Sequence, residues 1–144
     1  MISKNIRNTQ KLAEEAVSQL PSRIFALVGD LGSGKTTFAQ FFLRALGVTG
    51  RITSPTFVII KTYKLINLQT YKLVYHIDCY RLKDPAELLN LDFENIVKNK
   101  ENIVLIEWAE KIKELLPAET KWLYFEHGKG ENERIINYEN LFNN

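Results

Sequence analysis

With one cysteine, Cys79, in 144 residues, the chain cannot build an internal disulfide framework. That fits a reducing cytosol, and a cytoplasmic location is the expectation. Long apolar runs are missing too. No stretch approaches the length of a membrane span, and the segment Met1-Ile2-Ser3-Lys4-Asn5-Ile6-Arg7-Asn8 has no apolar signal core. Membrane contact is therefore not expected. Charge is nearly balanced: 19 Lys and Arg stand against 17 Asp and Glu, a net of +2. No basic surplus argues for direct nucleic-acid binding. Repeats and low-complexity linkers are absent. The whole chain is 45% hydrophobic and 25% charged, ordinary for a globular domain. The length suits one domain over 1–144 with a real core, and not two.

What is present is concentrated at residues 29–36, Gly29-Asp30-Leu31-Gly32-Ser33-Gly34-Lys35-Thr36, a complete Walker A loop. The apolar run Arg23-Ile24-Phe25-Ala26-Leu27-Val28 precedes it and suits a buried strand. Thr37-Phe38-Ala39-Gln40-Phe41-Phe42-Leu43-Arg44-Ala45-Leu46 follows with helical spacing and ends at Gly47. Strand, glycine-rich loop and helix form the context in which the pattern means phosphate binding. The glycines let successive N–H groups turn inward, and the helix N-terminus adds partial positive charge. Lys35 can reach β- and γ-phosphates, and the Thr36 hydroxyl can ligate Mg²⁺.

Around this unit the patterning predicts a helix over residues 9–20. Thr9 is its N-cap, Leu12, Ala13, Ala16, Val17 and Leu20 share one face, and Pro21 stops it. Phe57–Tyr63 and Tyr71–Asp78 read as strands of an antiparallel hairpin joined near Asn67-Leu68-Gln69. Asp84-Pro85-Ala86-Glu87 is a helix start, with Asp84 as cap and Glu87 in a capping-box-like position. Leu88, Leu89, Phe93, Ile96 and Val97 supply buried positions beyond it. Ile103-Val104-Leu105-Ile106 lacks alternation and suits a central strand covered on both faces. A helix near 109–115 and strands near 121–127 and 133–139 complete the chain. The aromatics Phe38, Phe41 and Phe42 are helix core by spacing. The sum is a three-layer α/β domain of P-loop NTPase type, its parallel core sheet extended by antiparallel strands.

A phosphate loop needs a carboxylate for its metal and a group to orient the attacking oxygen. Asp78 and Glu107 each end a strand, and either can serve; Glu107 closes the more deeply buried one. Thr53-Ser54-Pro55-Thr56 follows the loop's helix and reads either as a γ-phosphate sensor or as an ordinary turn. His76 shares a strand face with Asp78, opposite to Ile77. It is either a supporting partner of the acid or a histidine satisfied within the fold. His127 is expected at the surface, and Cys79 as an inert buried thiol.

Taken together, four blocks resemble the TsaE family, also called YjeE. They are the Walker A loop with Thr37 and Phe38, then Ser54-Pro55-Thr56-Phe57, His76-Ile77-Asp78-Cys79-Tyr80-Arg81-Leu82, and Ile106-Glu107-Trp108-Ala109-Glu110. Thr9 also fits. The resemblance implies a small ATPase using ATP and Mg²⁺ in threonylcarbamoyladenosine (t6A) modification of tRNA beside the anticodon. It implies weak activity alone, action with the subunits TsaD and TsaB, and only indirect contact with tRNA. Lys35, Asp78 and Glu107 would be catalytic, and Thr36, Glu107 and Asp78 would hold the metal. Asp30, Leu31, Gly32, Ser33, Gly34, Lys35, Thr36, Thr37 and Thr9 would bind the nucleotide, and Trp108 would be a further functional residue. The Ser54-Pro55-Thr56 segment would be a switch-like loop. Two departures stand out: Ala109 where proline is usual, and Asp92 where glycine is common, a residue that tolerates left-handed backbone. With so short a C-terminus, little beyond the core domain is expected.

Three other classes compete. A small-molecule kinase would carry a lid with clustered arginines, but Arg7, Arg23, Arg44, Arg51, Arg81 and Arg134 are scattered. A GTPase would carry an Asn-Lys-x-Asp element, and Asn99-Lys100-Glu101-Asn102 lacks the aspartate. A nucleotide-gated binding module would differ from the ATPase only in turnover.

Overall fold

The computed structural model describes residues 2–18, 22–52, 59–66, 68 and 70–138. Its centre is β5 (Asn102–Glu107), buried at all six positions. An unbroken apolar run can hide both of its faces only inside a sheet that is covered on both sides. β5 therefore pairs in parallel with β2 (Ile24–Val28) on one side and β4 (Leu73–Asp78) on the other. β6 (Lys121–His127) adds a fourth parallel strand beyond β2.

Antiparallel strands extend this core at both ends. β3 (Ile60–Lys64) forms the expected hairpin with β4. β7 (Arg134–Tyr138) folds back on β6, and β1 (Ile2–Ser3) pairs with β7. The sheet order is β1-β7-β6-β2-β5-β4-β3. β1 escapes prediction because two residues carry no periodicity to read.

One face of the sheet carries α1 (Ile6–Ser18) and α2 (Lys35–Ala45). Leu12, Ala13 and Ala16 of α1 and Phe38, Phe42 and Leu43 of α2 pack there with Phe25, Leu27, Leu105 and Phe125. The other face carries α3 (Ala86–Leu89), α4 (Phe93–Lys98) and a 3₁₀ segment over Ala109–Leu115. There Leu88, Phe93, Ala109 and Ile112 meet Ile24, Ala26, Val104 and Ile106. The expected three layers and the mixed sheet are both present.

Several local expectations shift. α1 begins at Ile6, not after Thr9. Asn5 supplies the cap, its side-chain oxygen accepting the Asn8 N–H at 3.0 Å. Thr9 is thus a buried residue inside the helix, bonded at 2.8 Å to the Ser3 hydroxyl. Leu20 and Pro21 lie outside the described residues, as do Asn67, Gln69 and the beginning of the Phe57–Tyr63 run. Asp84 does cap, since its carboxylate accepts the Ala86 N–H at 2.9 Å, and Glu87 joins through its backbone N–H to Asp84 O. Leu89 is half exposed rather than core, because α3 is a single turn with room for one buried side chain, Leu88. Phe41 is only partly buried, while Phe38 and Phe42 are fully so. The segment at 109–115 is 3₁₀ rather than α because Ile112 leaves helical geometry (φ −125°, ψ 24°). Asp92 is left-handed at φ 64°, so the turn that glycine usually makes is kept.

Phe42 lies 4.8 Å from the Phe25 ring and 6.0 Å from Phe38 (centroid distances) and ties α2 to the strand preceding the loop. Phe42→Ala should cost about 3–5 kcal/mol. Urea unfolding checks this, with a lowered midpoint and an unchanged slope as the expected result.

Candidate nucleotide site

Parallel pairing brings the carboxyl ends of β2, β5 and β4 to one edge. Leu27 stands beside Glu107, and Glu107 beside Asp78. The loop that leaves β2 therefore starts next to both carboxylates, as expected for the crevice of an open α/β sheet. Gly34, at φ 106°, turns the chain into α2, in a conformation that a residue with a Cβ rarely adopts.

A crevice of about 490 Å³ opens at this edge. Leu31, Gly32, Gly34, Lys35, Thr36 and Thr37 of the loop line it. Thr9 lines a second wall, and Asp78, Glu107 and Trp108 a third. Asp30 takes part through its backbone: its carbonyl accepts the Ser33 N–H at 3.1 Å and the Lys35 ammonium at 2.9 Å. Ser33 is buried, and among the described residues its hydroxyl has no hydrogen-bond partner. The Ser54-Pro55-Thr56 segment lies outside the described residues.

Lys35 is 4% exposed. Its ammonium also donates to the Gly29 carbonyl and lies 4.2 Å from the centre of the Trp108 ring. Burial pushes it below the ordinary lysine range, while Glu107, Glu110, Asp78 and Asp30 push it back up. Trp108 adopts the left-handed region at φ 56°, uncommon for a bulky residue. This sharp turn after Glu107 accompanies a ring that lines the crevice and packs 5.0 Å from Tyr80 (centroid distance). Lys111 supports the pair by donating to the Tyr80 carbonyl.

The carboxylates differ. Thr36 donates its hydroxyl hydrogen to Glu107 Oε1 at 2.7 Å, and His76 Nε2 bonds Glu107 Oε2 at 2.6 Å. Asp78 Oδ1 accepts the Tyr80 N–H at 2.9 Å. The acid that His76 contacts is thus Glu107 on the neighbouring strand.

The donor set fits a magnesium–nucleotide complex. Among the described residues no group of three or more His, Cys, Asp or Glu stands ready to cage a metal alone. Mg²⁺ is commonly held by one or two carboxylates together with substrate phosphates. The Thr36 hydroxyl and the Glu107 carboxylate are hard oxygen donors of that kind, beside a glycine-lined cradle and a lysine.

A family model described as "Threonylcarbamoyl adenosine biosynthesis protein TsaE" matches residues 3–136. The chain belongs to the TsaE family. It is 42% identical over 118 residues to the tRNA threonylcarbamoyladenosine biosynthesis protein TsaE of Rickettsia felis, a match spanning 81% of this chain and 66% of that protein. To the protein of the same name from Bacillus subtilis it is 38% identical over 135 residues, spanning 93% of this chain and 80% of that one. The crystal structure of Bacillus subtilis YdiB is similar at a TM-score of 0.70 and 32% identity, covering 96% of this chain and 82% of that one.

In this TsaE-family domain, several crevice residues escape sequence reasoning. Asn5 and Ile6 come from the junction of β1 and α1, Asn132 from the loop before β7 and Arg134 from the first position of β7. Their motifs are silent; only the pairing of β1 with β7 and of β7 with β6 carries them to the loop. His127 is exposed as expected, yet its Nε2 lies 3.2 Å from Leu31 O.

Cys79 is fully buried directly behind Asp78. Burial, reinforced by the Asp78 carboxylate, pushes its thiol up to about 12. At pH 8 the folded protein should resist iodoacetamide, because neither thiolate nor access is available. Mass spectrometry should show modification only after denaturant is added.

Proposed function

We propose that this chain binds ATP with Mg²⁺ and hydrolyses it in the service of t6A formation on tRNA, acting in the cytoplasm with TsaD and TsaB. The observation that carries the reading is the Thr36–Glu107 hydrogen bond at the foot of the glycine loop. It joins the loop hydroxyl and a strand-end carboxylate as one oxygen pair beside Lys35.

Hydrolysis adds water across the bond between the β- and γ-phosphates. The water oxygen bonds to the γ-phosphorus, and the bridging oxygen departs with ADP. Loop N–H groups and the start of α2 face the phosphates. Lys35 exchanges the Gly29 and Asp30 carbonyls for phosphate oxygens, which bind an ammonium more strongly. Thr36 and Glu107 would hold the metal, which would supply charge neutralisation to the phosphates. Asp78 accepts a hydrogen bond from the attacking water and orients it. Among the described residues Arg134 is the arginine that lines the crevice. Slow turnover alone follows from that sparse stabilisation, with a partner closing the site over Trp108 and Tyr80.

Lys35→Ala should weaken ATP binding by about tenfold or more, since a charged hydrogen bond contributes about 1.5–3 kcal/mol. Calorimetric titration checks it, and equal dissociation constants would sink the site. Asp78→Asn and Glu107→Gln should melt near wild type yet lose phosphate release measured with TsaD and TsaB present. Trp108→Ala should cut the stimulation by those partners more than it weakens ATP binding. Hydrolysis by the lone chain at full speed, unchanged by partners, would count against the partner-driven mechanism. A phosphorylated small-molecule product would revive the kinase reading.

A further inference from the structure

We propose that His76 is the positioning residue of Glu107: its Nε2–H fixes the carboxylate so that Oε1 is presented to Thr36 and to Mg²⁺. This rests on the function proposed above, because it concerns the metal side of the same site.

The placement follows from strand alternation. Val74 of β4 belongs to the core on the α2 side of the sheet, and Ile77 to the core on the other side. His76 and Asp78 therefore share the α2 face with Val74. On β5, Ile103 and Leu105 lie on that same face, and so does Glu107. In register His76 is level with Leu105. To bond Glu107 the imidazole must lean diagonally toward the crevice, and it does so at 2.6 Å.

Burial makes this contact unusual. His76 is 0% exposed and Glu107 1%. Among the described residues the other ring nitrogen, Nδ1, has no hydrogen-bond partner. A ring kept for packing alone would leave both nitrogens without purpose in the core, where an apolar side chain is the better filler. Here one nitrogen is given up and the other is spent on the carboxylate. A carboxylate accepts, so Nε2 carries the hydrogen of this contact.

Glu107 gains a fixed orientation. One oxygen is held by His76 and the other by the Thr36 hydroxyl. Without His76 the Oε2 side is unheld, and rotation about the last side-chain torsion blurs where Oε1 points. Partners behind a metal-binding carboxylate act on affinity through this orientation. Asp78 does not share the arrangement, since its Oδ1 is engaged by the Tyr80 N–H.

The test is the gain in ATP affinity on adding Mg²⁺, measured by calorimetry in MgCl₂ and in EDTA, with thermal melts of each variant. His76→Leu should lose about tenfold or more of that gain, the usual scale for losing such a partner. His76→Gln places an amide N–H at similar reach and should recover most of it. If His76→Leu does not fold, His76→Asn, whose shorter amide cannot reach, is read in its place with the same expected loss. A folded His76→Leu or His76→Asn that keeps the wild-type gain overturns the inference and leaves the nucleotide site standing. Failure of His76→Gln to recover the gain also overturns it, because donation is then not the property that matters. If wild type shows no Mg²⁺-dependent gain, the nucleotide reading fails and takes the inference with it.

Discussion

Leu27, Glu107 and Asp78 stand side by side in the parallel register of β2, β5 and β4, and the crevice depends on that row. Parallel strands end on the same edge, so one pairing scheme delivers the glycine loop and two carboxylates together. Had β5 run antiparallel, Glu107 would sit at the far edge, a full strand length from Thr36. The register itself is held by burial. β5 is covered on both faces, and a slip of one residue would reverse every inward side chain.

The two carboxylates differ through their neighbours rather than through their own chemistry. Glu107 is buried and bonded on both oxygens, so it is stiff. Asp78 accepts a backbone N–H that follows it by two residues and lines the crevice at the strand end. Lys35 and Trp108 couple the loop to the third wall, because the ammonium lies against the ring. Moving Lys35 onto a phosphate would change what Trp108 packs against. The residue after Glu107 is therefore in contact with the loop.

Much of this was legible in the chain. The Walker A loop, the unbroken run ending in Glu107 and the hairpin ending in Asp78 were enough to place the parallel core and its loaded edge. Signals of that kind are local and periodic. The Ser54-Pro55-Thr56 segment lies outside the described residues. What sequence reasoning missed is contributed by tertiary pairing. Thr9 reads as a helix cap because threonine suits one, but Asn5, about one turn earlier in the chain, is the residue that accepts the Asn8 N–H. His76 was placed on the correct face, while its choice of Glu107 over Asp78 depends on a diagonal across two strands. No spacing rule within one strand encodes such a contact.

The outer wall of the crevice joins Asn5 and Thr9 to Asn132 and Arg134, and the pairing of Ile2 with Ile135 closes it. These residues come from opposite extremes of the described chain. A ribosome delivers the phosphate cradle early and the closing strand late. The loop helix can pack on β2 as soon as both have emerged, yet the wall must wait for β7 to return past β6. Contacts so distant in sequence are slow to form and entropically costly to close. The outer wall of the crevice is thereby completed only when the two extremes of the described chain have met.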